Sequence, residues 1–166
     1  MSVAVGLPAL LDYSDHERTK WRDWIAGDPG RLSLPFHPAG RFPDVAALLD
    51  HLFLVERRHL SRLEGATPPA STGIPAGDWV ALFEYAGLVR ADFRAYVDAM
   101  DEFTAMETIR ITGLQSSPDM TMTRRRLATH ILVHEIRHLA QLAFAARLAG
   151  HEPPPQLDLF YFEGFA

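Results

Sequence analysis

Cysteine is absent from the chain. That excludes disulfide staples, thiolate metal ligands and a cysteine nucleophile, and it suits a reducing, cytoplasmic compartment. No apolar run reaches the roughly 20 residues of a membrane span, so no membrane partner is expected. The opening MSVAVGLPALLDYSDHERTK lacks a basic stretch ahead of its apolar part, which argues against a secretory signal. Positive charge is also short: 16 Lys+Arg stand against 21 Asp+Glu, for a formal net charge of −5. Nucleic-acid-binding domains carry a basic surface, so no nucleic-acid partner is expected. The one basic run, Arg124 to Arg126, opens a helix and reads as a solvated face. Internal repeats and low-complexity segments are missing as well. The 166 residues make one domain, 1–166, large enough to bury a substantial core.

Helix signals recur along the chain. After a mixed apolar lead-in from Met1 to Ser14, DHERTKWRDWIA (Asp15 to Ala26) reads as a helix capped by Ser14 or Asp15, with Trp21, Trp24 and Ile25 on its apolar edge. Glycine and proline make Gly27 to Phe42 a loop, with His37 at the surface. A second helix opens at Pro43 and Asp44 and stops at Gly65. Val45, Leu48, Leu49, Leu52, Val55, Leu60 and Leu63 share one arc of it; His51 lies at the edge, and Glu56 and His59 lie inside. A carboxylate on a core-facing arc needs a charged partner or a metal. The loop TPPASTGIPAG (Thr67 to Gly77) leads to a third helix, Asp78 to Met100, in which Gly87 is expected to mark a close helix approach. The period then changes. TIRIT (Thr108 to Thr112) alternates, MTMT (Met120 to Thr123) alternates less clearly, and turn residues GLQSSPD lie between them, giving a short extended crossover or weak hairpin.

The fourth helix, Thr123 to Gly150, organises the rest. It is rich in Ala, Leu and Arg, with Thr123 as N-cap and Gly150 as stop. His130, His134 and His138 follow one another at intervals of four residues. At about 100° per residue that spacing lines three imidazoles along one face. Gln141 joins the stripe, and Leu127, Ala145 and Leu148 extend it, so the stripe is expected to look towards the core. Histidines at i and i+4 can present nitrogens to one divalent cation; the other reading is satisfied or half-exposed helix histidines. A third histidine with a polar Gln141 beside it favours the metal, whose remaining ligand must come from elsewhere in the chain. Four amphipathic helices with short first loops give an all-α four-helix bundle, a fold that builds metal sites between facing helices.

HLFLVERRHLSRL in the second helix, HILVHEIRHLAQL in the fourth and GHEPPPQLDLFYF after it resemble the DinB family, and the similarity runs from the Trp21/Trp24 helix to the tail. Its most specific part is one helix-two histidine combined with a late HxxxHxxxQ. The resemblance implies a four-helix bundle, often a homodimer, with a divalent metal held by His51, His134 and His138 and with Gln141 after the last ligand. It implies zinc or nickel first, with manganese or iron as further options, and a stress- or DNA-damage-related thiol S-transferase that joins a low-molecular-weight thiol to a small electrophile. Glu56 and Arg57 match an acidic-basic pair after the first histidine. His59 departs from the pattern, standing where an aromatic residue, often tryptophan, is usual, and Leu139-Ala140-Gln141 replaces the common Arg-Gly-Gln. Three neutral imidazoles leave a cation with open positions, as in catalytic sites. The thiol must arrive as a cosubstrate, since the chain has none. Arg57 or Arg58 could receive its acidic groups, and His130 is a candidate to support the ligands.

Three rival readings stay open. His134-Glu135-Ile136-Arg137-His138 is formally HExxH, which would make Glu135 the general base of a metalloprotease. The longer metzincin pattern fails at Gln141 and Phe144. Two ExxH segments, Glu56 to His59 and Glu135 to His138, with Glu17 and Glu84 on the other helices, supply the ligands of a ferritin-like di-metal bundle. The metal could also staple a non-enzymatic stress protein.

Overall fold

The computed structural model describes residues 6–36, 41–112 and 119–165; His37 and the turn residues 113–118 lie outside them. The chain is mostly helical. Its described elements are α1 (Leu7–Gly27), α2 (Val45–Leu63), α3 (Trp79–Ala99), the short α4 (Glu102–Met106), the strands β1 (Thr108–Ile111) and β2 (Met120–Thr123), and α5 (Arg124–Leu148). Short 3-10 turns follow α1 at Pro29–Ser33 and close the tail at Leu159–Tyr161 and Glu163–Phe165.

Most helix starts are written in the local sequence. The Asp44 carboxylate accepts from Ala47 N–H at 2.8 Å, Asp78 from Ala81 N–H at 3.1 Å, and Thr123 Oγ1 from Arg126 N–H at 3.2 Å. At the far ends Gly65 (φ 72°) and Gly150 (φ 78°) take the left-handed conformation that a side chain resists. The beginning of α1 is the exception. It starts at Leu7, with Pro8 in its first turn, and not at Asp15. Ser14 and Asp15 are good caps, but Ser14 is buried mid-helix, where its hydroxyl donates a hydrogen bond to Glu135 of α5. A tertiary partner overrides the local preference. The α4 turn was not anticipated either; Asp101 caps it through Thr104 N–H at 2.7 Å. Gly87 marks no close approach: a Cβ there would meet nothing within 4 Å.

β1 and β2 pair antiparallel, Thr108 opposite Thr123 and Ile111 opposite Met120. The crossover therefore delivers the chain directly into α5. Arg124 is more than a solvated charge, since its guanidinium reaches Glu107 at 3.0 Å, Tyr96 Oη at 2.9 Å and the Leu63 carbonyl that ends α2.

α5 packs against α1 and α2, and α3 packs against the same two helices. The buried apolar residues form two clusters. One contains Trp21, Ile25, Leu48, Leu52, Phe53, Leu82, Ala86, Leu142 and Ala146; the other contains Leu11, Leu60, Leu63, Phe93, Val97, Leu127, Ile131 and Leu132. On every long helix at least one buried polar or charged position falls between the two clusters: Ser14 and Arg18 on α1, Glu56 on α2, Arg90 on α3 and Glu135 on α5. A charged layer thus divides the core. Arg18 donates to Glu56 at 2.7 Å, to Glu135 at 2.9 Å and to the Ala86 carbonyl at 3.2 Å. Arg90 donates to Glu135, and its Nε stands 2.9 Å from Glu56 Oε1, close enough to pair in charge without the alignment of a hydrogen bond. Burial alone would raise the Glu135 pKa, but the Arg18 and Arg90 charges and the bonds from Ser14 and Arg18 hold it below the usual carboxylate range.

Candidate metal centre

Helical spacing puts His134 directly one turn ahead of His138, while α2, packed alongside α5, supplies His51 from the opposite wall. One ring nitrogen of each of the three histidines lies within 4.8 Å of the other two. Ring centroids are 4.3 Å apart for His134 and His138, 5.4 Å for His51 and His134, and 5.2 Å for His51 and His138. The convergence is a property of the tertiary packing, since 83 residues separate His51 from His134.

The nitrogens are short of partners. His51 Nε2 is buried and has no hydrogen-bond partner. His134 Nε2 and His138 Nε2 face each other at 3.1 Å, an arrangement that needs a proton or another cation between two lone pairs. His138 Nδ1 lies 2.7 Å from Gln141 Oε1. With the proton on Nδ1 donated to Gln141, the Nε2 lone pair of His138 is free to point at the cluster. Phe42 lies against two of the rings, its centroid 4.8 Å from His51 and 5.7 Å from His138, and shields them from water.

The rings are held neutral. Burial, aided by Arg41, His138 and Arg58, pushes the His51 pKa down to about 4. Burial and the neighbouring imidazoles push His134 down to about 3. Burial lowers His138 as well, against the opposing hydrogen bond to Gln141. Neutral imidazoles with free lone pairs are what a divalent cation requires of nitrogen ligands.

The stripe on α5 does not look into the core as its composition suggested. His130 and Gln141 are exposed and His134 and His138 half-buried, whereas the deep face carries Ala128, Leu132, Glu135, Leu139 and Leu142. Alanine and leucine fill the interior between helices, and the bulky imidazoles take the flank facing α2. His130 stands outside the group of three, its ring centroid 5.6 Å from His134 and 5.3 Å from His59. His59 is buried, its Nδ1 has no hydrogen-bond partner, and burial pushes its pKa down to about 3.

The carboxylates of the rival readings are engaged elsewhere. Glu135 belongs to the charged layer, held by Ser14, Arg18 and Arg90, and cannot serve as a free base beside the histidines. Glu56 shares those arginines, Glu17 pairs with Lys20, and Glu84 is exposed. Among the described residues, His51, His134 and His138 are the only three metal-competent side chains that come this close. Arg57 is bound to Glu64 at 2.8 Å and Asp92 at 3.3 Å, and Arg58 holds the Pro69 and Ala70 carbonyls. Both arginines thus already hold oxygen acceptors of the fold. Sequence reasoning missed Arg18 and Arg90 as partners of the two buried glutamates. Their signal was a guanidinium in the apolar register of a helix, three residues before Trp21 in one case and before Phe93 in the other.

No helix among the described residues is long and apolar enough to cross a membrane. A search of curated proteins finds no match to the chain. The DinB family model, in contrast, matches residues 1–164, which include both histidine-bearing helices and the tail packed on α1. A match over nearly the whole length places this chain in the DinB family.

Proposed function

We propose that this protein is a DinB-type four-helix bundle that holds one divalent metal ion on His51, His134 and His138 and uses it to transfer a low-molecular-weight thiol to a small electrophile. The observation that carries the reading is the unpartnered His51 Nε2 beside two Nε2 atoms that have only each other. A cation satisfies all three lone pairs together. When bound, a divalent ion in such a site supplies Lewis acidity and lowers the pKa of a thiol or water held at it. The all-nitrogen set suits zinc or nickel first, with manganese or iron as further options.

The chain's own residues divide the remaining work. Gln141 fixes the His138 ring through Nδ1, so that Nε2 is presented in one orientation. Phe42 covers the rings on one side and keeps that face dry. Glu135 keeps its charge inside the helix core and takes no part in proton transfer. Three protein nitrogens leave positions open for a cosubstrate, the arrangement of a catalytic site and not of a closed structural one. With no cysteine in the chain, the thiol is supplied from solution. Assembly as a homodimer belongs to the same proposal.

Elemental analysis tests the metal. Wild type is expected to carry about one equivalent of divalent ion per chain, and His51→Ala and His138→Ala are each expected to lose it. Metal retained in both variants would overturn the ligand set, and two ions per chain would favour a di-metal bundle. Conjugation assays with low-molecular-weight thiols and a generic electrophile test the chemistry. Turnover that disappears with the metal supports the transferase; no metal-dependent turnover leaves the ion as a staple of the helices.

A further inference from the structure

A cavity of about 290 Å³ adjoins the histidine cluster, lined by Phe36, Arg41, Phe42, Phe144 and Leu148 together with His138 and Gln141. Its walls are aromatic and aliphatic. Phe36 and Phe42 meet edge to face at 6.5 Å, and Phe144 and Leu148 remain 62% and 61% exposed, large apolar groups that no other described residue covers. The size stands near the lower end for small-molecule sites, which combine apolar walls with a few polar groups that fix orientation.

Arg41 supplies that polar group. Its guanidinium lies 5.6 Å from the Phe42 ring, and among the described residues no carboxylate pairs with it. Arg57 and Arg58 are already engaged. Apart from the neighbouring His138 ring, the side chains that act electrostatically on His51 are Arg41 and Arg58, and those that act on His138 are Arg137 and Arg41. A neutral three-histidine set beside these arginines sits in a positive local field, which favours an anionic visitor. A larger cavity of about 400 Å³ between α2 and the loop before α3 has the opposite character. Asp44 and Asp78 there cap helices and Asp50 accepts from Thr72, so its carboxylates are committed to the fold.

We propose that the cavity beside His138 receives the electrophilic cosubstrate, and that this molecule is a flat, largely apolar acid whose carboxylate pairs with Arg41 while its body lies among Phe36, Phe42 and Phe144. The inference rests on the metal-dependent reading above for the role of the molecule, but not for its binding. Phe42 contacts both the cavity and the rings, so a molecule seated there lies against His138 and against whatever the histidines hold. Guanidinium and carboxylate can meet through two parallel hydrogen bonds, which distinguishes an acid from a neutral compound of the same shape.

The probes are 2-naphthoate and its neutral amide, with binding measured by calorimetry on zinc-loaded protein and on protein stripped by a chelator. Naphthoate is expected to bind about tenfold more tightly than the amide, the scale of one charge-assisted contact. Arg41→Gln, an exposed position, is expected to erase that preference and leave amide binding unchanged. Phe144→Ala, also exposed, is expected to weaken both probes. Equal binding of acid and amide, or no binding of either, overturns the proposal. So does a preference for the acid that survives Arg41→Gln and vanishes on stripping, because the carboxylate would then be held by the ion and not by Arg41. An Arg41-dependent preference in stripped protein supports the cavity even if elemental analysis finds no metal on the histidines. Metal present with no such preference retains the centre and removes the cavity.

Discussion

α5 presents two polar clusters only a turn apart, and they differ in what they lack. Glu135 is 3% exposed and meets two arginines and a serine, so the protein itself satisfies its charge. His134 and His138, half-buried on the adjacent flank, find hydrogen-bond partners among the described residues only in each other and Gln141, beside the unpartnered His51. The first cluster is closed and the second is open. A buried polar group with its partners inside the fold is architecture; a convergent set with lone pairs left over is a place for something the chain does not provide. HExxH spacing alone would have merged the two, assigning Glu135 to the same chemistry as the histidines. The helix keeps them separate by directing residue 135 between α1, α2 and α3 and residues 134 and 138 towards α2 alone.

The largest effect expected from that distinction is on stability. Glu135→Ala leaves Arg18 and Arg90 with Glu56 as their one fully buried carboxylate partner among the described residues, at a cost of about 3–5 kcal/mol. Urea unfolding measures it, and Glu135→Gln, which keeps an acceptor for Ser14, is expected to fall short of that loss. Metal per folded chain is expected to stay at the wild-type level in both. If folded Glu135→Gln protein lost its ion as completely as the histidine variants, the two clusters would be one site.

A smaller effect sharpens the comparison from the open side. His59 is 9% exposed, and its folded pKa of about 3 lies below the ordinary value of 6.5. Between these values the unfolded chain binds the proton and the folded chain does not, so stability falls as pH drops from 6.5 towards 3 and is fully present above 6.5. His59→Phe removes that proton uptake. In chelator-treated protein the variant is expected to gain about 2 kcal/mol on wild type between pH 7.5 and pH 5. An unchanged gap between the two pH values would show that the ring is not held neutral.

Gln141→Ala gives the mildest change. Gln141 is exposed and among the described residues its side chain bonds only His138 Nδ1, so stability is expected to move by less than about 0.5 kcal/mol. Ion affinity is expected to weaken on the order of tenfold, the usual effect of removing a hydrogen bond that orients a ligand. Competition with a chromophoric chelator reads it. A variant with wild-type affinity would separate Gln141 from the open cluster.

Much of this was legible in the residues, for identifiable reasons. Asp44, Asp78 and Thr123 announce helix starts because capping is a contact within one turn. Glu56 and His59 were expected inside α2 and are buried there, because an apolar arc fixes which positions share a face. Ser14 misled the reading because its role is set by a carboxylate 121 residues away. The outward placement of the imidazole stripe was equally illegible. Two faces of α5 carry apolar residues, and only packing decides which one α1 and α2 cover.

Taken alone, the sequence determined the distances along each helix. It placed His134 and His138 one turn apart, interrupted every apolar arc with a polar or charged position, and withheld the cysteine that would have made other chemistry available. The fold decided what meets across helices: His51 opposite that pair, Arg18 and Arg90 around Glu56 and Glu135, and Phe42 and Arg41 in the wall of the cavity. Backbone hydrogen bonding sets the first kind of relation within a few residues. The second depends on how faces from distant parts of the chain bury one another, and no local spacing encodes that choice.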